Sequence, residues 1–350
     1  MQRPKVTFVI ATYMRSDVVR CTLRSLLLQE HTDWNALVIG DCCGNETAEA
    51  VRSLREPRIR YYNLPRRCGE QSGPNTAGLQ LAEGDFVSFL NHDDLLLGDH
   101  LACALGELMA HDADFYIGKF ANATRLALAD TGAVIPVFTR ILPESEDLGL
   151  LATYTSCFDP PSFWVIRTPY ARAVGAWRPA SSLWRTPLDD WLMRAWRLGG
   201  KFCFGSAVTV LRLWTHVVRA QEPFYAHASP EHEYMVTRME EEVPDATRLF
   251  IRRQIDEARR DEGSAASPPE SVSFGRRAAR RLRFSRAGRL VSANLYLKLG
   301  IDPVSLAGRI LRRQPGAYLD WLCEKRTGER LPVQPTIRDF LRDPEAHRVV

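Results

Sequence analysis

The sequence predicts an α/β fold, a mostly parallel sheet flanked by helices, with a helical, basic extension at its C-terminal end. Three observations predict it. Apolar, β-branched runs alternate with helix-like runs through the first hundred residues. Each apolar run ends on polar residues, the edge at which open α/β sheets bind ligands. Finally, the net charge of +4 is concentrated in the last third of the chain rather than spread along it. A length of 350 residues with 45% hydrophobic content suits one large domain with an appendage.

The first strand is Val6 to Ala11, closing on Thr12 and Tyr13. Ser16 and Asp17 offer an N-cap to a helix whose apolar face is Val18, Val19, Leu23, Leu26 and Leu27. Trp34 to Ile39 forms the second strand and ends at Gly40 and Asp41, ahead of the turn-rich CCGNET. Thr47 to Leu54 suits a helix and Ile59 to Tyr62 a third strand, an order that implies right-handed crossovers. A glycine-rich loop and short helix, CGEQSGPNTAGLQLAEGD at 68–85, feed a fourth strand, Phe86 to Leu90. That strand runs into Asn91, His92, Asp93 and Asp94, after which Leu95 to Leu97 and Gly98 are expected to open a helix. FYIGKF and AVIPVF, within 113–142, extend the sheet across a turn around Asp130 to Gly132, and 155–167 is proline-broken, then strand-like.

A second polar site opens the next helix. Thr186 is an N-cap, Pro187 fits the first helical position, and Gly199 with Gly200 ends the helix. Asp189 then falls at the third position, where a carboxylate closes a capping box, which leaves Asp190 without a structural task. Leu188, Leu192, Ala195, Trp196 and Leu198 follow the helical repeat toward the core. Beyond it, 228–262 has helix-forming composition and 263–273 is a Ser/Pro/Gly linker. In 274–313, Arg276, Arg277, Arg280, Arg281, Arg283, Arg286 and Arg289 interleave with Leu282, Phe284, Leu290 and Val291. A helix there suits an anionic membrane surface, or alternatively docking on its own protein. Gly316 to Arg326 suggests a last short helix.

Several classes are excluded or disfavoured. No G-x-G-x-x-G follows the first strand and no G-x-x-x-x-G-K-[ST] is present, against a dinucleotide oxidoreductase or a P-loop NTPase. The eight cysteines show no C-x-x-C spacing and read as reduced thiols of a cytoplasmic protein. The N-terminal MQRPKVTF leads straight into a strand with no secretory signal, and no run of about 18 apolar residues is present. Asp93 and Asp94, adjacent at a strand's end, raise each other's pKa unless a cation sits between them. Hard oxygen donors of that kind suit Mg²⁺ or Mn²⁺, and a helix cap is the alternative.

In combination, VTFVIATYMRSD, ALVIGD and EQSGPNTAGLQLAEGDFVSFLNHDDLL resemble the family 2 inverting glycosyltransferases over roughly residues 4–215. The resemblance implies the GT-A fold and a nucleotide-diphosphate sugar donor. It implies that Thr12 and Tyr13 border the base, that Asp41 accepts hydrogen bonds from base or ribose, and that Gln71 and Asn75 belong to the donor site. Asn91, His92 and Asp93 stand where the family has D-x-D, so Asp93 becomes the metal ligand with Asp94 beside it. Asn91 departs from the pattern and brings no charge. LDDWLMRAWRLGGKF looks like the element that supplies the catalytic base, here Asp190 with Asp189 as the fallback. His216, and more weakly Arg219, are candidates for the metal or the diphosphate.

Structural alternatives stand beside these roles. Asp41 can hold a turn, Thr12 and Tyr13 can finish a strand, His92 can be structural and Asp190 a solvated first-turn acid. Arg66 and Arg67 read best as solvated loop charges. Trp177, Trp184 and Trp191 can stack on sugars or simply pack. The expected organisation is a GT-A domain at 1–225, a helical segment at 226–262, the linker at 263–273 and the basic extension at 274–350. The expected function is a metal-assisted inverting transfer to a glycan or glycolipid in cell-envelope polysaccharide biosynthesis. It is placed at the cytoplasmic face with peripheral membrane contact through 274–313, and no nucleic acid partner is expected. The alternative is a catalytically inactive GT-A-like protein that binds nucleotide sugar or glycan, and Asn91 favours it.

Overall fold

A computed structural model describes residues 4–129, 131–153, 158–213, 229–264, 285–332 and 337–350. Its first half is a parallel sheet of β1 (Val6–Thr12), β2 (Trp34–Gly40), β3 (Ile59–Asn63) and β4 (Phe86–Asn91). The connections run through α1 (Ser16–Leu27), α2 (Asn45–Ser53) and α3 (Ser72–Leu81). The register positions the functional edge. Thr12 lies opposite Gly40, Gly40 opposite Asn63, and Ala11 opposite Asn91, so these strands end level with one another. The residues just past them therefore share one rim. α1 begins at Ser16 with Arg15 at the N-cap position and no side-chain cap bond, so the expected Ser16/Asp17 cap is not formed.

The second half adds β5 (Asp94–Leu96), α4 (His100–Ala110), β6 (Phe115–Leu128), β7 (Val134–Leu142), β8 (Trp164–Arg167), α5 (Thr168–Val174), α6 (Pro187–Leu198) and β9 (Phe202–Leu213). The sheet has nine strands in the order β3-β2-β1-β4-β8-β6-β9-β5, with β7 beside β6. Leu95 to Leu97 do not open a helix. Leu95 pairs with Leu211 of β9, and the next helix starts at His100. Three leucines buried on every side carry no periodicity, so sequence alone cannot separate strand from helix there.

The main core runs along the whole sheet, from Phe8, Trp34 and Tyr61 to Trp164 and Trp191. Trp177 stacks on Trp191 with centroids 5.4 Å apart and planes 14° apart, and Phe89 meets Trp177 edge-on at 4.9 Å. Trp191 is fully buried and donates its indole N–H to the Gly175 carbonyl at 2.9 Å. Trp184 donates to the Arg313 carbonyl at 3.0 Å. All three tryptophans near the second site thus pack against protein, which corrects the sugar-stacking option.

The C-terminal part folds onto the same body. α7 (Pro230–Glu241) and α8 (Pro244–Ser264) share a core with β5, β6 and β9 through Met235, Val236, Ile251, Leu95 and Leu211. Arg24 of α1 bonds Glu240 of α7 at 2.8 Å. α9 (Arg286–Leu299), α10 (Pro303–Ile310), α11 (Ala317–Thr327) and α12 (Arg338–Arg342) follow. Within the described residues, 274–313 is therefore not one continuous helix, and Tyr296 of α9 is buried in the main core. Arg289 pairs with Asp147 at 3.1 Å. Arg276 to Arg283, and the linker beyond Ser264, lie outside the described residues. The final residues pair with the edge strand β3: Val349 N donates to Tyr61 O at 2.8 Å, and Tyr61 N donates to Val350 O at 2.9 Å. Among the described residues, no helix is long and apolar enough to cross a membrane.

Candidate active site

A cavity of about 540 Å³ opens at the carboxyl ends of β1, β2 and β4. One end is built by Thr12, Tyr13, Asp41, Arg67 and Gly69. Asp41 follows β2 directly, is 4% exposed, and accepts hydrogen bonds from Cys68 N at 2.6 Å and Gly69 N at 2.7 Å. Burial raises its pKa, and those two amide bonds oppose the shift. Asp41 thus clamps the glycine-rich loop rather than a turn of its own, and spare lone pairs remain on its oxygens for a ligand. Gly69 has φ +79°, the left-handed region that suits glycine. Arg67 is not a solvated loop charge. Its guanidinium lies 4.3 Å from the Tyr13 ring centroid and pairs with Glu329.

The middle of the cavity carries Asn91, His92, Asp93 and Asp94. His92 Nδ1 lies 3.0 Å from the Thr12 hydroxyl, and Thr22 donates to the His92 carbonyl at 2.7 Å, so the ring is tied into the strand ends. The Ser162 hydroxyl donates to Asp94 at 2.5 Å and accepts from Asn91 N at 3.0 Å. Asp94 also faces Arg212 across the β5–β9 pairing, and Arg212 lies 3.7 Å from Asp159. Burial, then the charge of Asp93, raises the pKa of Asp94. Asp94 is therefore an internal brace, which leaves Asp93 as the better placed of the pair to meet a ligand. His232, on α7, lies 3.1 Å from the Asp93 carbonyl oxygen through Nε2 and steadies that turn from below. No group of three His, Cys, Asp or Glu able to hold a metal occurs among the described residues. A Mg²⁺-type ion needs fewer, since one or two carboxylates plus substrate phosphates commonly hold it, and the oxygen donors here fit that pattern.

The far end belongs to α6. Thr186 accepts from Asp189 N at 3.1 Å, Pro187 is in the first turn, and Gly199 ends the helix at φ 85°. The amide of Asp189 makes the cap while its carboxylate lines the cavity at 5% exposure. Burial pushes its pKa up to about 7, with the nearby Arg185 guanidinium pulling the other way. Asp190 does not line the cavity. It accepts from Arg194 Nε at 2.9 Å and from Arg178 at 3.4 Å, so the carboxylate expected to be idle is engaged by two guanidinium groups. Successive helical residues point about 100° apart, and only one of two neighbouring acids can face a given wall.

Gln71 lines the cavity, whereas Asn75 is buried within α3 at 3% exposure and does not. His216 and Arg219 lie outside the described residues. Sequence reading named Arg67 but preferred a solvated role for it, and it missed Asp159 and Arg212, whose places depend on long-range contacts. The short helix expected at Gly316 to Arg326 is present as α11, but its place at the cavity was not foreseen: it supplies Tyr318, Leu319, Leu322, Cys323 and Thr327 to the wall.

The model of the family described as Glycosyl transferase family 2 matches residues 7–173. Among curated proteins, the chain is 34% identical over 98 residues to the succinoglycan biosynthesis protein ExoO of Rhizobium meliloti (strain 1021), covering 28% of each chain. It is 29% identical over 121 residues to the GalNAc(5)-diNAcBac-PP-undecaprenol beta-1,3-glucosyltransferase of Campylobacter jejuni, covering 34% of this chain and 38% of that one. It is 24% identical over 115 residues to the UDP-Glc:alpha-D-GlcNAc-diphosphoundecaprenol beta-1,3-glucosyltransferase WfgD of Escherichia coli, covering 33% and 45%. The chain thus spans less than half the length of these relatives. Among solved structures, residues 1–349 of S. aureus TarS match with a TM-score of 0.50 at 18% identity, over 91% of this chain and 83% of that one. That likeness shows a shared GT-A fold.

Proposed function

We propose, from the match of residues 7–173 to the Glycosyl transferase family 2 model, that the chain transfers a hexosyl unit, with inversion, from a UDP-sugar to a glycan or glycolipid acceptor. The observation that carries this reading is that Asp93 and Asp189, from distant parts of the chain, line one cavity. Uridine is chosen because the Escherichia coli relative is named for a UDP-glucose donor. The lipid-linked acceptor follows the diphosphoundecaprenol in the names of two relatives. The process served is cell-envelope polysaccharide assembly.

In one displacement, the acceptor hydroxyl oxygen bonds to the anomeric carbon as the bond from that carbon to the diphosphate breaks. Asp189 takes the hydroxyl proton, and UDP leaves with the electron pair. A pKa pushed up to about 7 suits that task, because a substantial fraction of the group is ionised near neutral pH while it stays basic enough to take the proton. Tyr13, Asp41 and Arg67 hold the nucleoside end, with Asn91 and His92 beside the sugar and diphosphate. A Mg²⁺ or Mn²⁺ ion on Asp93 supplies positive charge against the leaving diphosphate.

The protein works as a peripheral partner of the cytoplasmic membrane face. Leu290, Val291, Leu299, Ile310 and Leu311 are each more than 60% exposed on α9, α10 and the turns that end them. Arg286, Arg309, Arg312 and Arg313 are exposed on the same segment, and Asp302 is the single acid between 286 and 313. UDP-glucose and UDP-GlcNAc, each with Mn²⁺, are expected to raise the melting temperature, and UDP to be released when lipid-linked glycan is added. Nucleotide binding with no release on any such acceptor supports the inactive binder that Asn91 favours.

A further inference from the structure

The cavity's outer wall comes from a segment far outside the family-matched residues. α11 lines the cavity, held at its start by the loop before α6 and near its end by the glycine-rich loop. At its start, Gly316 N donates to Leu183 O at 2.7 Å, and Gly316 approaches the backbone of Ala180 and Ser181 so closely that a Cβ would sit 3.0 Å from both. That places the first turn beside the loop that leads into α6 and Asp189. At its other end, Cys323 Sγ lies 3.5 Å from Gly69 O, which places the last turns over the nucleoside loop. The first turn is therefore beside the loop that leads into α6. There the helix offers Tyr318, Leu319 and Leu322 to the cavity, an aromatic and apolar surface opposite carboxylates on the floor.

A pyranose asks for such a pairing. Its faces are C–H surfaces that rest on aromatic rings, and its edges are hydroxyls that seek carboxylates. Tyr318 is 52% exposed, and Trp321, one turn on, is 51% exposed, with the two ring centroids 6.2 Å apart. Trp177, Trp184 and Trp191 pack against protein, so among the described residues Tyr318 is the half-exposed ring of the cavity wall on this side, with Trp321 beside it just outside the lining. A donor sugar lies beneath its own diphosphate, whereas the acceptor approaches from the mouth, where the exposed rings are.

We propose that Tyr318, extended by Trp321, is the platform for the terminal pyranose of the acceptor, so that α11 sets acceptor specificity. The inference rests on the transferase reading given above. The test uses the full-length chain with saturating UDP and Mn²⁺ and measures binding of methyl hexopyranosides and methyl N-acetylhexosaminides by saturation-transfer NMR. UDP affinity is followed separately by calorimetry. The wild type is expected to bind at least one glycoside. Tyr318→Ala should weaken that binding at least tenfold, Tyr318→Phe should retain it, and both should bind UDP within twofold of wild type. Equal glycoside affinity in Tyr318→Ala, a parallel loss of UDP affinity, or UDP binding with no glycoside binding in the wild type overturns the platform alone. A wild type that binds no UDP removes the transferase reading and the platform together. Preference of the same surface for a free prenyl phosphate over every glycoside overturns the assignment to sugar.

Discussion

Asp189 and Asp190 show how little separates a catalytic candidate from a surface acid. The sequence places both in the first turn of a helix, and the capping pattern assigns the structural duty to Asp189. The cap bond is made by that residue's amide, and its carboxylate, which Thr186 also bonds, belongs to a residue of the cavity wall. Side-chain direction around a helix start depends on where the helix is docked, and that was not readable. Burial of Asp189 has a consequence for stability. With its pKa pushed up to about 7 in the fold, the folded state holds the proton more tightly than the unfolded chain. The resulting stability is fully present below about pH 4 and is lost as pH rises through about 7. Asp189→Asn lacks that loss, so at pH 8 it is expected to be more stable than wild type by about 2 kcal/mol. The advantage should vanish near pH 4 in urea titrations. A variant no more stable than wild type at pH 8 contradicts the assignment. Thr12, Tyr13, Asp41 and Asp93 were legible because each follows a strand whose end the apolar pattern marks.

The segments that close the site were read less well. The four parallel strands and their crossovers were visible from alternation alone, and so was the helix from Pro187 to Leu198, which has both of its stop signals. β5 was not, since three buried leucines have no period. Docking of the extension on its own protein was one of the options the sequence offered, but where it docks was not readable, because that is set by contacts across more than a hundred residues. Arg185 is one of them. Its guanidinium donates to Asp302 at 2.9 and 2.6 Å and to the Leu151 carbonyl at 2.8 Å, while Asp302 caps α10 through Val304 N and Ser305 N at 3.1 Å. Burial pushes the pKa of Asp302 up, but the Arg185 bonds outweigh it and hold the carboxyl below its usual value. The pair therefore stabilises the fold above about pH 4 and is lost as pH falls through the lower folded value. Arg185→Ala should cost about 3–5 kcal/mol at neutral pH by chemical denaturation, since it strands a half-buried carboxylate. A loss under about 1 kcal/mol would place the pair among weak surface bridges. Gly69→Ala is a second test of closure. A Cβ there would sit 2.6 Å from Pro332 and force a side chain into φ +79°, so UDP affinity should fall about tenfold. Unchanged affinity would mean that the loop does not need its contact with the extension.

Taken whole, the molecule is a sheet whose carboxyl edge is roofed by its own C-terminal helices, with an apolar and basic face on α9 and α10 turned to solvent. The described part of the segment, 285–313, is folded onto the body rather than standing as a free amphipathic helix. Co-sedimentation with vesicles of phosphatidylcholine and phosphatidylglycerol should show binding that falls steeply with added salt and is lost in Leu290→Glu/Ile310→Glu. Equal binding to neutral vesicles, or none to anionic ones, contradicts the membrane assignment. The pairing of Asp93 with Asp189 across one cavity is the centre of the account, and the most direct test is acceptor-dependent release of UDP followed from pH 5 to 9. In wild type, kcat/KM should decline on the acid side with an apparent pKa near 7. Asp189→Asn should lose about 10²–10⁴-fold, and Asp190→Asn should stay within about tenfold of wild type, because Asp190 meets only arginines. Full activity in Asp189→Asn, with the loss falling on Asp190→Asn instead, would contradict it.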